Sequence, residues 1–433
     1  MIRKLVKSLI PRKMFRAIEP YGHLAESVLW QVVEGFPARG LKVIGVTGTD
    51  GKTTTSTMIY TMMNEAGLKT GLMTTIGYGL PGDWHDNMVH MTTMPTRVML
   101  RRIKKLKAAG AEWLVLETTS HALAQHRVWG IKYSVAVMTN VTHEHLDYHG
   151  TFERYTAAKV RLFKLVGGWR GGLRTGIVNA DDAAADVFAA QVPKAIRYGV
   201  RAGDLRATNV KLAADGSDFE VELGGHKTHL RVNLPGEFNV SNALATAAVG
   251  LTVGLNAKQI QHGLASLDGV AGRLITVNEG QNFAVIVDFA HTPGSYEKIL
   301  PQIKALTKGR LIVMFGSAGR RDETKRAAQG RLAGKFADVV VVTEEDDRDV
   351  DGVAIMRQIA AGAEESGKKR DRDLFLIHDR SNAIRHSVGL AEAGDTVLLL
   401  GKGHETTIER ADGEHPWNEV SEARAALKEL KTK

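Results

Sequence analysis

The sequence predicts an α/β protein with two parallel-sheet domains in series behind a short helical N-terminal extension. Three observations carry that prediction. Apolar runs of strand length alternate with stretches of helical spacing from Leu41 onward, the signature of βαβ units. A glycine-rich stretch, Gly48-Thr-Asp-Gly-Lys-Thr53, separates the first such run from the first such helix. Near Gly272 the alternation restarts. The expected divisions are 1–40, 41–271 and 272–433, and a chain of 433 residues, 43% of them hydrophobic, can fill two or three cores.

The extension comes first. Arg3, Lys4, Lys7, Arg12, Lys13 and Arg16 mix with Ile2, Leu5, Val6, Leu9, Ile10, Met14 and Phe15, and Pro11 breaks the run. Such a basic amphipathic segment can lie on an anionic membrane; a helix packed on the protein's own core with its lysines solvated is the plainer alternative. Lys7 interrupts the apolar part, so no export signal is read. His23 to Val33 forms a second helical stretch, closed by Gly35 and Pro37.

In the central domain, Val43 to Val46 reads as a buried strand and Thr53 to Ala66 as the helix after it. Strand, glycine loop and helix make a phosphate cradle of the P-loop type. Loop amides and the helix N-terminus face the anion, Lys52 reaches it as a point charge, and Thr53 offers a hydroxyl for Mg²⁺. ATP is the expected ligand; a glycine turn without phosphate is the alternative, because Val46 stands where the P-loop pattern has its first glycine. Further strands are expected at Trp113–Leu116, Val135–Met138 and Gly176–Val178. Polar alternation from Ala207 to Val232 reads as antiparallel hairpins, and Asn239 to Leu251 as an alanine-rich helix. In the C-terminal domain, Ala284–Asp288, Leu311–Phe315, Val339–Thr343 and Thr396–Leu400 read as four buried strands of a Rossmann-like sheet. Gly367–Asp373 reads as a solvated loop.

Composition narrows the chemistry. The absence of cysteine excludes disulfides and thiolate metal sites and fits a reducing cytoplasm. A net charge of +9 calls for anionic partners, which nucleotide-bearing substrates supply. No zinc finger, aromatic-basic platform or basic tail marks a nucleic-acid binder. Glu117 follows a strand and is a natural Mg²⁺ ligand opposite Thr53. His143, His145 and His149 alternate with Glu144 and Asp147, open to either metal binding or loop hydrogen bonding. Lys159 alone reads as a surface lysine.

Taken together, Gly48-Thr-Asp-Gly-Lys-Thr53, Glu117-Thr-Thr-Ser-His121, Gln125-His-Arg127, His145-Leu-Asp-Tyr-His-Gly150, Ala157-Ala-Lys159, Gly236-Glu-Phe-Asn-Val-Ser-Asn242, Gly272-Arg273, Asp288-Phe-Ala-His-Thr-Pro293 and Gly401-Lys-Gly-His-Glu405 resemble the Mur ligases, in that family's order. The resemblance is strongest to the branch that adds the third residue to UDP-N-acetylmuramoyl-dipeptide in peptidoglycan synthesis. It implies an ATP- and Mg²⁺-dependent amide ligase that passes through an acyl phosphate. Gly48, Thr49, Asp50, Gly51, Lys52, Thr53 and Thr54 would hold the ATP phosphates, and Asn239, Asn242, Arg273 and Asp288 the rest of the nucleotide. Thr53 and Glu117 would hold one Mg²⁺, and Glu117, His145 and a carbamylated Lys159 a second. Thr92, Thr93, Thr119, Gln125 and Arg127 would contact the muramoyl-peptide donor, and Arg321, Asp346, Arg348, Gly401 and Glu405 the amino-acid acceptor. A cytoplasmic monomer is expected.

Departures qualify the resemblance. Asp50 stands for the branch's asparagine, Glu144 for an aspartate and Thr119 for a serine. Only about 40 residues precede the phosphate loop, too few for the family's uridine-gripping domain, so a donor on another carrier, such as a membrane lipid, is an expectation to test. Glu345-Asp-Asp-Arg348 aligns with Asp-Asn-Pro-Arg of enzymes that add meso-diaminopimelate. Arg348 tips the reading towards that acceptor; Asp346 and Asp347 favour a terminal ammonium, as in lysine. The competing readings are a folylpolyglutamate synthetase-like ligase and a nucleotide-binding partner without catalysis.

Overall fold

The computed structural model describes residues 12–87, 91–213, 216–267 and 269–431. Residues 1–11 of the basic extension lie outside that set. The chain divides into two compact units. The first runs through Lys211 and takes in Gly216–Asn233 and Glu237–Asp268; the second is Gly269–Lys433 with two short preceding pieces.

The first unit is organised on β1 (Lys42–Thr47), β2 (Thr70–Met73), β3 (Gly77–Leu80), β4 (Asp83–Asp86), β5 (Trp113–Glu117), β6 (Tyr133–Met138), β7 (Thr175–Asn179), β8 (Lys194–Gly199) and β9 (Leu205–Arg206). They form one sheet ordered β4-β3-β2-β5-β1-β6-β7-β8-β9. All neighbours from β2 to β9 are parallel, and β3 and β4 add an antiparallel edge. Strands β5 and β6 are buried along their whole length, which is why they read as continuous apolar runs rather than alternating ones. Register sets the site: Val46 of β1 pairs with Glu117 of β5, so the carboxylate lies beside the start of the loop that follows β1. A separate sheet of β10 (Thr208–Ala213), β11 (Gly216–Leu223) and β12 (His226–Val232) lies where hairpins were expected, and β11 pairs antiparallel with β12.

The extension differs from the expected two stretches. One helix runs from Arg12 to Glu34 with Pro20 inside it, because a proline removes a single backbone donor and neighbouring turns carry the rest. It ends where expected, with Gly35 at φ 71°.

The second unit contains β13 (Ile275–Thr276), β14 (Ala284–Asp288), β15 (Leu311–Phe315), β16 (Val339–Val342), β17 (Leu374–Leu376) and β18 (Thr396–Leu400), ordered β13-β14-β18-β15-β16-β17. Only β13 is antiparallel. A hairpin, β19 (Thr407–Arg410) and β20 (Gly413–Pro416), follows. Arg380 and Glu419, both without exposure, pair at 2.7 Å, and Arg380 also donates to the carbonyls of Glu344 and Leu400.

Candidate active site

The phosphate loop is held by the end of β6. Asn140 accepts from the Thr49 amide through its carbonyl, at 2.8 Å, and from the Asp50 amide through its side chain, at 3.0 Å. Thr139 Oγ1 returns a hydrogen bond to the Asp50 carbonyl at 2.6 Å. Gly51 takes φ 77°, and a Cβ there would press on the Asn242 amide; this corner admits only glycine. The helix Lys52–Glu65 starts at once, and no side chain caps it, so its first amides stay available to an anion. Lys52 Nζ donates back to the Thr49 carbonyl at 2.6 Å. Thr54 is buried in the first turn. Asn242 accepts from Thr55 at 3.1 Å and donates to Asn239, which ties the Glu237–Val253 helix to the loop.

Thr53 and Glu117 meet as the sequence pattern requires. Thr53 Oγ1 donates to Glu117 Oε2 at 3.0 Å, and Thr75 donates to the same oxygen through both its amide and its hydroxyl. Thr75 carried no sequence signal. Its hydroxyl also contacts Thr92, while Thr93 bridges the Glu117 carbonyl and Thr119. Arg127, 4% exposed, donates to the carbonyls of Thr93 and Met94, and burial pushes it down to about 10. Gln125 closes the short Ser120–Ala124 helix, whose other end Thr119 caps.

Lys159 is not a surface residue: it is 1% exposed, donates to the Gly48 carbonyl, and lies 4.3 Å from the centre of the Tyr155 ring. Burial, with Lys52 nearby, pulls its pKa well below that of an ordinary lysine against the opposing pull of Glu144, Asp50 and Glu117. A neutral amine is the form that adds CO₂, and the carbamate product is an anionic oxygen ligand. His145 adopts φ 55° and packs against His121, at 4.7 Å, and Tyr155, at 6.2 Å. It lies 3.7 Å from Glu144. Tyr155 thus links His145 to Lys159 and, through its hydroxyl, to Thr49 at 3.1 Å. His149 bonds Ser120 at 3.1 Å. Burial, reinforced by His145 and His149, drives His121 down to about 3. The hydroxyls of Thr53, Thr75 and Thr92 and the buried Glu117 carboxylate are hard oxygen donors that fit Mg²⁺, and carbamylation would make Lys159 another.

In the second unit, Asp288 at the end of β14 accepts from the Leu274 and Ala290 amides at 2.9 and 2.7 Å. Arg273 lies over Phe289 at 5.0 Å, and its Nε is buried without a partner. His404, which sequence reasoning left out, packs on Phe289 and is pushed down to about 3 by burial and Arg273. Arg348 is already engaged: Nε reaches Glu409 at 2.6 Å, Nη1 donates to the Gly319 carbonyl, and Asp346 is 3.9 Å away. Lys402 bridges Asp346 at 2.9 Å and Glu405 at 2.6 Å. Burial pushes Glu405 up even with Lys402 beside it. Gly401 turns at φ 106°, where a Cβ would meet Glu345. Arg321 is exposed on the loop after β15, apart from this cluster's ion pairs. Lys402 and Glu409 complete the cluster; the first lay within a recognised motif, the second in a hairpin with none.

Comparison with known proteins agrees with this geometry. The Mur ligase middle domain matches residues 46–250, and the Mur ligase glutamate ligase domain matches 272–403. A UDP-N-acetylmuramyl-tripeptide synthetase of Roseiflexus sp. is 40% identical over 95% of this chain and 83% of its own length. A solved UDP-N-acetylmuramoyl-L-alanyl-D-glutamate--2,6-diaminopimelate ligase is 28% identical, with a TM-score of 0.65 over 96% of this chain and 83% of that one. A folylpolyglutamate synthase of Mycobacterium tuberculosis reaches a TM-score of 0.69 over 94% of this chain and 95% of its own, but at 16% identity it shares the fold alone. The chain belongs to the Mur ligases, and it is an ATP-dependent ligase.

Proposed function

We propose that this enzyme joins a diamino acid to a muramoyl-dipeptide in peptidoglycan precursor synthesis. The observation that carries the reading is the convergence of Thr53, Thr75 and Glu117 beside the loop of Lys52, with the buried Lys159 behind it. Lys52 and the uncapped helix amides bind the ATP phosphates. Thr53 and Glu117, joined by His145 and carbamylated Lys159, are the residues that would hold Mg²⁺, which when bound supplies charge neutralisation at the phosphates. Thr92, Thr93, Thr119, Gln125 and Arg127 orient the donor so that its carboxylate takes the γ-phosphoryl group in line. The acceptor amine then displaces phosphate from the acyl phosphate to form the amide. Asn239, Asn242, Arg273 and Asp288 bind the nucleoside end of ATP. The work falls to 41–271 for ATP and donor and to 272–433 for the acceptor, in a cytoplasmic monomer.

Within the diamino acids, the acceptor pocket favours a terminal ammonium. Asp346, Glu405 and Glu409 face two cations, Arg348 and Lys402, and Arg348 is committed to Glu409. This acidic excess attracts an ammonium and repels a second carboxylate, which moves the balance from diaminopimelate to lysine, with Arg321 at the rim. The test is phosphate release from ATP with UDP-N-acetylmuramoyl-dipeptide across a panel of diamino acids. Release that depends on lysine supports the reading. No release with any acceptor on this donor, from protein that still binds ATP, refutes the UDP-linked donor and turns the search to lipid-linked or otherwise different ones.

A further inference from the structure

Over Tyr21–Glu34, the helix Arg12–Glu34 turns Ser27, Gln31 and the half-buried Trp30 to the protein and an apolar face to solvent. Ser27 and Gln31 are fully buried: Ser27 bonds Thr96 at 2.9 Å, and Gln31 donates to the Trp129 carbonyl at 2.7 Å. On the opposite side Tyr21 is 71% exposed, Leu29 57%, Val32 63% and Val33 57%, with Ala25 and Val28 also exposed. At 100° per residue these six share one broad face, and no charged residue of the Tyr21–Glu34 segment falls within it. A soluble surface helix has the reverse arrangement, and a contiguous exposed apolar face marks an interaction surface.

Charge identifies the occupant. The helix Thr96–Ala108 packs alongside and carries Arg97, Arg101, Arg102, Lys104, Lys105 and Lys107 with no acidic residue. Of these, Arg101 and Lys104 reach Glu34 while staying more than half exposed, and Arg97 lies over Trp30 at 4.4 Å. In the sequence before Tyr21, Arg3, Lys4, Lys7, Arg12, Lys13 and Arg16 face a single acid, Glu19. An apolar strip beside so many cations matches an anionic lipid interface, where acyl chains take the strip and headgroups the cations.

We propose that this face seats the enzyme peripherally on an anionic membrane, with the helix lying in the interface. No helix among the described residues is long and apolar enough to cross a bilayer, so the contact is reversible. The test is sedimentation of the full chain with phosphatidylglycerol-containing vesicles and with pure phosphatidylcholine vesicles, at low and high salt. Expected is binding to the anionic vesicles that weakens with salt and falls about tenfold in Leu29→Glu/Val33→Glu, with a smaller loss in Lys105→Glu. Both variants alter exposed positions, so melting temperature and ATP binding stay at the parent values. Absence of binding to anionic vesicles overturns the proposal, as does equal binding to both vesicle types. A concentration-dependent dimer that Leu29→Glu/Val33→Glu dissociates also overturns it, assigning the face to a second copy.

Discussion

Thr53 Oγ1 donates to Glu117 Oε2 across 3.0 Å, although 64 residues separate them in the chain. The parallel pairing of β1 with β5 makes the meeting possible, since it sets Glu117 beside Val46 at the mouth of the phosphate loop. Glu117 is 1% exposed. A buried carboxylate held by neutral hydroxyls and an amide keeps its charge unspent, ready for a cation.

That charge is the basis of the first prediction. Glu117→Gln keeps the size and an acceptor oxygen but removes the anion, so the fold survives and the chemistry does not. Phosphate release is expected to fall by about 100-fold or more, with the Mg²⁺ concentration for half-maximal activity raised. A turnover within threefold of the parent would show that Glu117 only braces Thr53 and Thr75.

Lys159 gives a prediction with a pH sign. Its folded-state pKa lies below the ordinary 10.5, so between the two values the unfolded chain binds the extra proton and stability rises with pH. The cost of burying this amine is therefore full at low pH and gone above about 10.5. In bicarbonate-free buffer, Lys159→Met should raise the melting temperature by a few degrees at neutral pH, with the gain shrinking as pH rises. The same variant should lose ligase activity. Activity of the parent enzyme should in turn fall when CO₂ is removed and return with bicarbonate. A pH-independent gain, or activity indifferent to CO₂, would assign Lys159 a packing role.

Arg380 and Glu419 form a buried ion pair in the second unit. Both lack exposure, and the guanidinium is satisfied by Glu419 and two backbone carbonyls. Glu419→Ala leaves that cation buried and unpaired, at a cost of about 3–5 kcal/mol. Urea unfolding followed by circular dichroism is the check. A loss under 1 kcal/mol would mean that water reaches Arg380 in the variant.

These residues also mark how far the sequence could be read. The central strands of each unit, β1 and β5 in the first and β14, β15 and β18 in the second, are almost wholly buried and announce themselves as apolar runs. Strands β2, β3, β4 and β17 are three or four residues long, too short for any period to show. Lys52 and Thr53 were legible because a phosphate loop fixes their spacing, and Glu117 because it ends a buried apolar strand. Thr75 and Glu409 were not, because each reaches its partner through tertiary packing with no local pattern. Lys159 looked like surface lysine because a lysine is seldom buried, and the other buried positions of its helix, Tyr155, Ala158, Val160, Leu162, Phe163 and Val166, gave no sign that a cation shared their face. The exposed apolar face of the first helix was equally hidden: helical spacing shows that a stripe exists, not which side meets the core.

The final prediction concerns Arg348 and Glu409. In this chain the guanidinium that could grip a distal carboxylate is held by Glu409 at 2.6 Å and by the Gly319 carbonyl. Glu409→Ala frees one side of the fork and removes one of the two acids beside it, leaving Asp346. An acceptor with a second carboxylate then gains a bidentate partner and loses a repulsion. The ratio of kcat/KM for meso-diaminopimelate over lysine is expected to rise about tenfold or more, while Arg348→Ala in the parent changes that ratio by less than threefold. Asp346→Asn should act on the other substrate, raising the KM for lysine with kcat little changed, since it weakens the attraction for the terminal ammonium. Burial pushes Asp346 up, but Lys402 outweighs it and holds the carboxyl below its ordinary pKa, so the charge removed is present at neutral pH. An unchanged ratio in Glu409→Ala would place the acceptor's far end away from Arg348 and return the choice of amino acid to other residues of the pocket.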